Sequence, residues 1–364
     1  AGTVNRGDTV SDFDSQEKEL KHSLDPTICH LSHGDVRINL LDTPGYPDFI
    51  GRSITVVPAA ESAALVLSAN SGVESAIRRR MKAAKESGNC RMNIVNKIDS
   101  KHAEQAKKLG EIQEVFGPRC LPVNLPAESG SKIRECFFSL EGGDTDFSSV
   151  AEAHEQIIDQ VVEVDEELME AYLESGQELA PDKLHDAFEQ ALREGHLMPV
   201  CFVSAETGAG VGSLLDVFVK LMPNPSEGIP PVFLKGEGPD AEEVELEPDQ
   251  GSHVIAHVFK VLVDPYVGRM GIFRIHQGTI KTNTQLYIGD GRKPFKVSHL
   301  YRVQGKETIE VPSAGPGDIC AVTKVDEIEY DAVLHDSHDE DHFHIKHASL
   351  NPPMMGLAIE PMNR

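Results

Sequence analysis

The sequence predicts an α/β fold, a doubly wound and mostly parallel sheet with an inserted helical segment, followed by an antiparallel β-barrel. Two patterns predict it. Over residues 1–228 short apolar runs alternate with helical periodicity, which argues for a sheet layered by helices. After residue 250 strand-like runs are broken by turn residues at intervals of about ten, the pattern of a small barrel.

Residues 36–42 (VRINLLD) read as a strand ending at a turn, and 64–69 (ALVLSA), 92–96 (MNIVN) and 199–204 (PVCFVS) as three more. Between them, 75–88 (SAIRRRMKAAKESG) holds strong helix formers and a glycine stop. Residues 212–222 (GSLLDVFVKLM) place apolar side chains at helical spacing. From about 121 to 198 acidic helix formers dominate, as in AEAHEQIIDQVVEVDEELMEAYLESG, so a helical insert is expected that returns to the sheet at Pro199. Residues 229–249, rich in Pro, Gly and acid, read as a linker. The barrel is expected over 250–348, and 349–364 as the start of a further unit.

The chain has 364 residues, too many for one ordinary core, and its 40% hydrophobic and 26% charged content is globular. A net charge of −25 argues against binding to DNA or to anionic membranes, though it leaves room for a local basic patch. With no run of about 18 apolar residues and no signal peptide, a cytoplasmic monomer is expected. The six cysteines are scattered without a C-x-x-C pair and read as free thiols. The polar, Met-less start and the apolar, strand-like end raise the expectation of a chain cut from a longer protein.

Three motifs carry chemistry. Asp42-Thr43-Pro44-Gly45 follows the first strand. A carboxylate there can hold Mg²⁺ through water, and the Gly45 amide can meet a terminal phosphate because no Cβ blocks the backbone. A plain Asp-x-Pro-Gly turn is the competing reading. Asn96-Lys97-Ile98-Asp99 closes the third strand. The Asp99 carboxylate can accept both the guanine N1–H and the exocyclic amine, a pair that adenine cannot match, while Asn96 and Lys97 brace loop and base; a capped loop is the alternative. Ser204-Ala205 follows the fourth strand, where a backbone amide can reach the guanine oxygen. Each motif alone is weak. In this order, each at the carboxyl end of a strand, they fit the ligand edge of a doubly wound sheet.

With those residues in place, LLDTPGYPDFIGR resembles the switch II segment of the elongation factor G family of translational GTPases, and NIVNKID resembles its guanine loop. PVNLP and VDEELMEAYLESG are similar to its inserted subdomain, HVFKVLVDPYVGRMGIFRIHQGTIK to its barrel domain, and PPMMGLAIEP to the entry of its third domain. The resemblance implies GTP/GDP and Mg²⁺ as cofactors and the ribosome, RNA and proteins, as partner. It implies GTP hydrolysis coupled to a translocation-like or recycling step, with a ribosome-docking module lacking hydrolysis as the alternative.

The sequence departs from that family in three places. No G-x-x-x-x-G-K-[ST] occurs, the loop whose amides and Lys hold the phosphates, so GTP and Mg²⁺ binding by this chain is expected to be weak or absent. The family's usual His after D-T-P-G is Tyr46 here, as in some paralogues. A phenol with a pKa near ~10 is a poor base at neutral pH, but its hydroxyl can orient water. The family's Mg²⁺-binding Thr of switch I matches Ser23, counted from SDFDSQEKE, with Thr27 as the fallback.

Two further clusters have ordinary readings beside their functional ones. His335, His338, His342, His344 and His347 alternate with acids; His338 and His342 have metal-ligand spacing, but a solvated loop is the simpler account. Arg78, Arg79 and Arg80 could touch RNA phosphates or form a solvent-facing helix surface.

Overall fold

A computed structural model describes residues 2–73, 75–138, 142–175, 181–236, 238, 241–264, 268–346 and 356–358. The N-terminal part contains, in chain order, α1 (Ser15–Leu20), β1 (Thr27–His33), β2 (Val36–Asp42), α2 (Ile50–Ile54), β3 (Ser62–Ser68), α3 (Ser75–Glu86), β4 (Cys90–Asn96) and α4 (Gln105–Phe116). It continues with β5 (Cys120–Pro122), β6 (Asn124–Ala127), β7 (Lys132–Glu135), α5 (Val150–Val162), α6 (Glu166–Ser175), α7 (Pro181–Glu194), β8 (Met198–Phe202) and α8 (Val211–Lys220).

Strands β3, β4, β8 and β5 lie side by side in that order, all parallel. All of β4 but Asn96 is buried, as expected for a strand covered on both faces. On one face Met92 and Ile94 meet Ile157, Val161, Phe188 and Leu192 from α5 and α7. On the other, Leu67, Val95 and Phe202 meet Met81 and Ile112 from α3 and α4. The sheet is therefore doubly wound.

Strand β2 does not join it. It pairs antiparallel with β1 as a separate ribbon, in register from Thr27↔Asp42 to His33↔Val36. Gly34, at φ +59°, makes the tight turn between them. A connection this short joins only antiparallel neighbours, which accounts for the β1–β2 pairing.

The acidic stretch opens with strands rather than helix: β5 edges the sheet, and β6 and β7 form a hairpin. Helix α5 then starts at an N-cap in which Ser149 Oγ accepts the Glu152 amide at 3.2 Å. Its buried face is Val150, Ala153, Ile157, Ile158 and Val161, the helical period.

After residue 250 an eight-stranded antiparallel sheet is centred on Ile255–Asp264 and Gly268–Gln277. Val258, Phe273, Ile275, Leu300, Cys320 and Leu334 fill its interior. A second, smaller core seals it to the N-terminal part: Ile28, Val56 and Ala59 pack with Phe259, Ile272, Val303 and Ile319. Polar contacts reinforce the seam. Arg274 pairs with Glu61 and donates to the Ala59 carbonyl at 2.9 Å, and Lys260 pairs with Asp25. Among the described residues no helix is long and apolar enough to cross a membrane, and all six cysteines are free. The residues expected to open a further unit lie mostly outside the described ones.

Candidate functional site

Strands β4 and β8 are parallel neighbours, so the loops leaving their carboxyl ends emerge together. Asn96, the last residue of β4, ties them: its Oδ1 accepts the Lys97 amide at 2.8 Å and the Ala205 amide at 3.0 Å. The Ile98 amide donates to the Val203 carbonyl in the same seam. Lys97 is exposed and adopts φ +66°, a conformation costly for a residue with a Cβ and held here by its neighbours. Ser204 is fully buried and closes its own turn; its Oγ accepts the Thr207 amide at 3.2 Å and its amide donates to the Ala209 carbonyl. Asp99 is partly buried, directly after the buried Ile98. Thus Asn96, Lys97, Asp99, Ser204 and Ala205 are brought to one edge. The Ala205 amide is already engaged by Asn96.

Two supports of this edge were not foreseen. Asn124, in the PVNLP run, is fully buried and acts as a ladder partner for Phe202: its Oδ1 accepts the Phe202 amide at 2.7 Å and its Nδ2 donates to the Phe202 carbonyl at 3.2 Å. It anchors β8 two residues before Ser204. Gly130, at φ +75°, lets the β6–β7 turn press on the 98–99 backbone; a Cβ there would lie 2.0 Å from the Ile98 carbonyl oxygen. The PVNLP resemblance includes Asn124 but gives it no role, and Gly130 lies outside it.

The second group surrounds Asp42, at the end of β2. As a residue Asp42 is exposed, yet burial of its carboxyl pushes its pKa up; a hydrogen bond from Ser11 opposes this and the Asp12 and Glu17 carboxylates add to it. Ser23 Oγ donates to Asp12 Oδ1 at 2.7 Å, so Ser23 and Asp42 meet around Asp12. Thr27, the fallback ligand, is buried, and its Oγ1 donates to the Ser11 carbonyl at 2.9 Å. The Glu17 carboxylate is itself engaged, its Oε1 accepting the Leu24 amide at 2.9 Å and the Asp25 amide at 3.3 Å.

The 44–46 loop follows. Gly45 has nothing within 4 Å of the place a Cβ would occupy. Tyr46 is 53% exposed, and its ring lies 4.3 Å from that of His22, centroid to centroid. Helix α3 holds the loop from outside through Arg80, and α3 itself packs on β4. Among the described residues no hydrogen bond runs directly from the Asp42 group to the Asn96 group; α3 is the element between them.

Elsewhere, His338 pairs with Asp341 and His342 with Asp290, separate partners on separate segments. Among the described residues no group of His, Cys, Asp and Glu could hold a metal, and His347 lies outside them. A shallow cleft at the seam, lined by Glu61, Ile229, Pro230, Leu246, Arg274 and His276, contains none of the predicted site residues.

A doubly wound sheet with a guanine-type loop pair at one edge, joined to a β-barrel, defines a GTP-binding domain of the translation-factor class. The chain belongs to the elongation factor Tu GTP-binding domain family, whose model matches residues 1–224. The model of elongation factor G domain 2 matches residues 253–335. The chain is 29% identical over 387 residues to an elongation factor G-like protein of Mycobacterium tuberculosis, covering 98% of this chain and 53% of that protein. It is 26% identical over 382 residues to elongation factor G of Thermotoga maritima, covering 100% of this chain and 54% of that one. A crystal structure of a Thermus thermophilus protein superposes with a TM-score of 0.78 at 29% identity, over 93% of this chain and 50% of the other. The chain thus spans about half the length of the curated relatives it matches.

Proposed function

We propose that this chain is the nucleotide domain (about 1–228, with its insert at about 121–198) and barrel (about 250–348) of a cytoplasmic, ribosome-dependent GTPase of the elongation factor G type. The observation that carries the reading is the Asn96 Oδ1 bond to the Ala205 amide, which joins the two base-binding loops across neighbouring parallel strands. In this reading Asp99 accepts the guanine N1–H and amine, Asn96 and the backbone at Ser204 and Ala205 hold the loops, and the Lys97 stem covers the base. Gly45 faces the terminal phosphate, and Tyr46 orients the attacking water. Asp42 and Ser23 hold Mg²⁺ near Asp12; the ion neutralises phosphate charge when bound.

The chain carries no G-x-x-x-x-G-K-[ST] run. That favours a second reading for this polypeptide taken alone, a ribosome-docking module that binds nucleotide weakly. The test of the main reading uses the complete polypeptide that carries this sequence. Asp99→Asn loses two charge-assisted hydrogen bonds to guanine, so GDP affinity falls by about a hundredfold or more. Xanthosine diphosphate, with a carbonyl where guanine has its amine, binds the variant better than the parent. Unchanged GDP affinity in the variant removes Asp99 from the base site.

A further inference from the structure

Arg80 makes contacts that neither reading of the Arg78–Arg80 run anticipated. Its Nη2 donates to three consecutive carbonyl oxygens: Pro44 at 3.0 Å, Gly45 at 2.9 Å and Tyr46 at 3.0 Å. Ser53 Oγ donates to the same Pro44 oxygen at 3.1 Å, and the Phe49 amide to the Tyr46 oxygen. One cation on α3 therefore gathers the carbonyls of the 44–46 loop on one side.

The peptide bond fixes what happens on the other side. A trans peptide is planar, with its C=O and N–H pointing in opposite directions. Turning the Pro44 carbonyl toward Arg80 turns the Gly45 N–H away from it. Turning the Gly45 carbonyl does the same for the Tyr46 N–H. Neither amide is donated to another group among the described residues, and the space beside Gly45 Cα is open. Two adjacent N–H groups are thus presented away from α3, an arrangement suited to an anionic oxygen.

We propose that Arg80 is a positioning residue: by clamping the 44–46 carbonyls it aims the Gly45 and Tyr46 amides at the terminal phosphate of a nucleoside triphosphate. This rests on the nucleotide reading above. Arg80 itself touches no phosphate. A guanidinium suits the role because its fork is planar and permanently charged, so the clamp holds at any pH the fold survives. The ligand it discriminates is a triphosphate against a diphosphate, since only the former extends to this loop.

The test measures binding of GDP and of a non-hydrolysable GTP analogue to the complete polypeptide, for the parent, Arg80→Met and Arg80→Lys. For Arg80→Met the analogue is expected to bind about tenfold more weakly, the effect of one misplaced hydrogen bond, while GDP stays within about twofold. Arg80→Lys, which keeps a donor near one or two carbonyls, recovers part of the loss. If Arg80→Met does not fold, judged by its circular dichroism, Arg80→Lys carries the comparison, with a smaller loss confined to the analogue. Equal weakening of both nucleotides, or of neither, overturns the role of Arg80 and leaves the guanine site standing. A parent that binds neither nucleotide ends both proposals.

Discussion

Tyr46 sits where the resembled family places an imidazole, and its surroundings decide what a substitution there reports. The side chain is half exposed and its ring lies against that of His22, so little core is lost when it changes. Tyr46→His is expected to alter stability by less than about 0.5 kcal/mol. A group that can accept a proton near neutral pH then replaces one that cannot. Ribosome-stimulated turnover of the complete polypeptide is expected to rise, by up to about a hundredfold if proton transfer limits the rate. Equal turnover rates for parent and variant would take Tyr46 out of the chemistry. Asp42 shows the opposite kind of dependence on surroundings: its neighbours Asp12 and Glu17 lie 30 and 25 positions earlier in the chain, and their approach is a product of folding. The same holds for Arg80. Nothing in SAIRRRMKAAKE marks the third arginine as a partner for the 44–46 carbonyls, because all three sit on a helix whose placement the local pattern does not set.

Gly34 and Gly130 both have positive φ, +59° and +75°, but only one of them is enclosed. At Gly34 nothing lies within 4 Å of the Cβ position, whereas at Gly130 the Ile98 carbonyl oxygen is 2.0 Å away. Gly34→Ala therefore incurs only the left-handed backbone penalty, about 1–2 kcal/mol. Gly130→Ala adds a clash with backbone that cannot rotate aside. The β6–β7 turn must then leave the 96–99 loop, and a loss of about 3 kcal/mol or more is expected. Urea unfolding of the two variants separates the terms; equal midpoint shifts would show that the Gly130 contact yields without cost. This contrast also marks the limit of what the sequence made readable. Strands β3, β4 and β8 were legible because each is a short apolar run between turns, and the helices because of their period and caps. The β1–β2 ribbon was half legible: VRINLLD is apolar, but its partner TICHLSH carries two histidines and a serine that break the pattern. The loops at residues 96 and 204 were legible as motifs. Their supports, Asn124 and Gly130, were not, since each acts on a strand or loop distant in sequence.

The seam between the N-terminal part and the barrel combines an apolar core with charged contacts, and His276 lies in its cleft. The ring packs edge-on against Phe233 at 5.1 Å, and its Nε2 is sealed from solvent with no hydrogen-bond partner among the described residues. Burial holds its pKa well below the ordinary histidine value, and the positive charge of Arg274 and the nearby His257 push the same way. Glu61, which also lines the cleft, is committed to Arg274. The sign follows from proton counting. The folded state binds a proton at His276 less readily than the unfolded state does, so the unfolded state gains as protons become available. The contribution of the neutral ring is intact above the unfolded value of about 6.5 and is lost as pH falls from there toward the depressed folded value, by at most about 1.4 kcal/mol per pH unit. Asp42 and Glu189, whose carboxyls are raised by burial, act in the opposite direction and partly mask the loss in the parent. The difference between parent and His276→Gln removes them, because both chains share those groups. Relative to the variant, the parent is expected to lose stability steadily from about pH 6.5 to about pH 5 in urea unfolding. Parallel stability curves for the two chains over that range would mean that the imidazole is free to take up its proton in place.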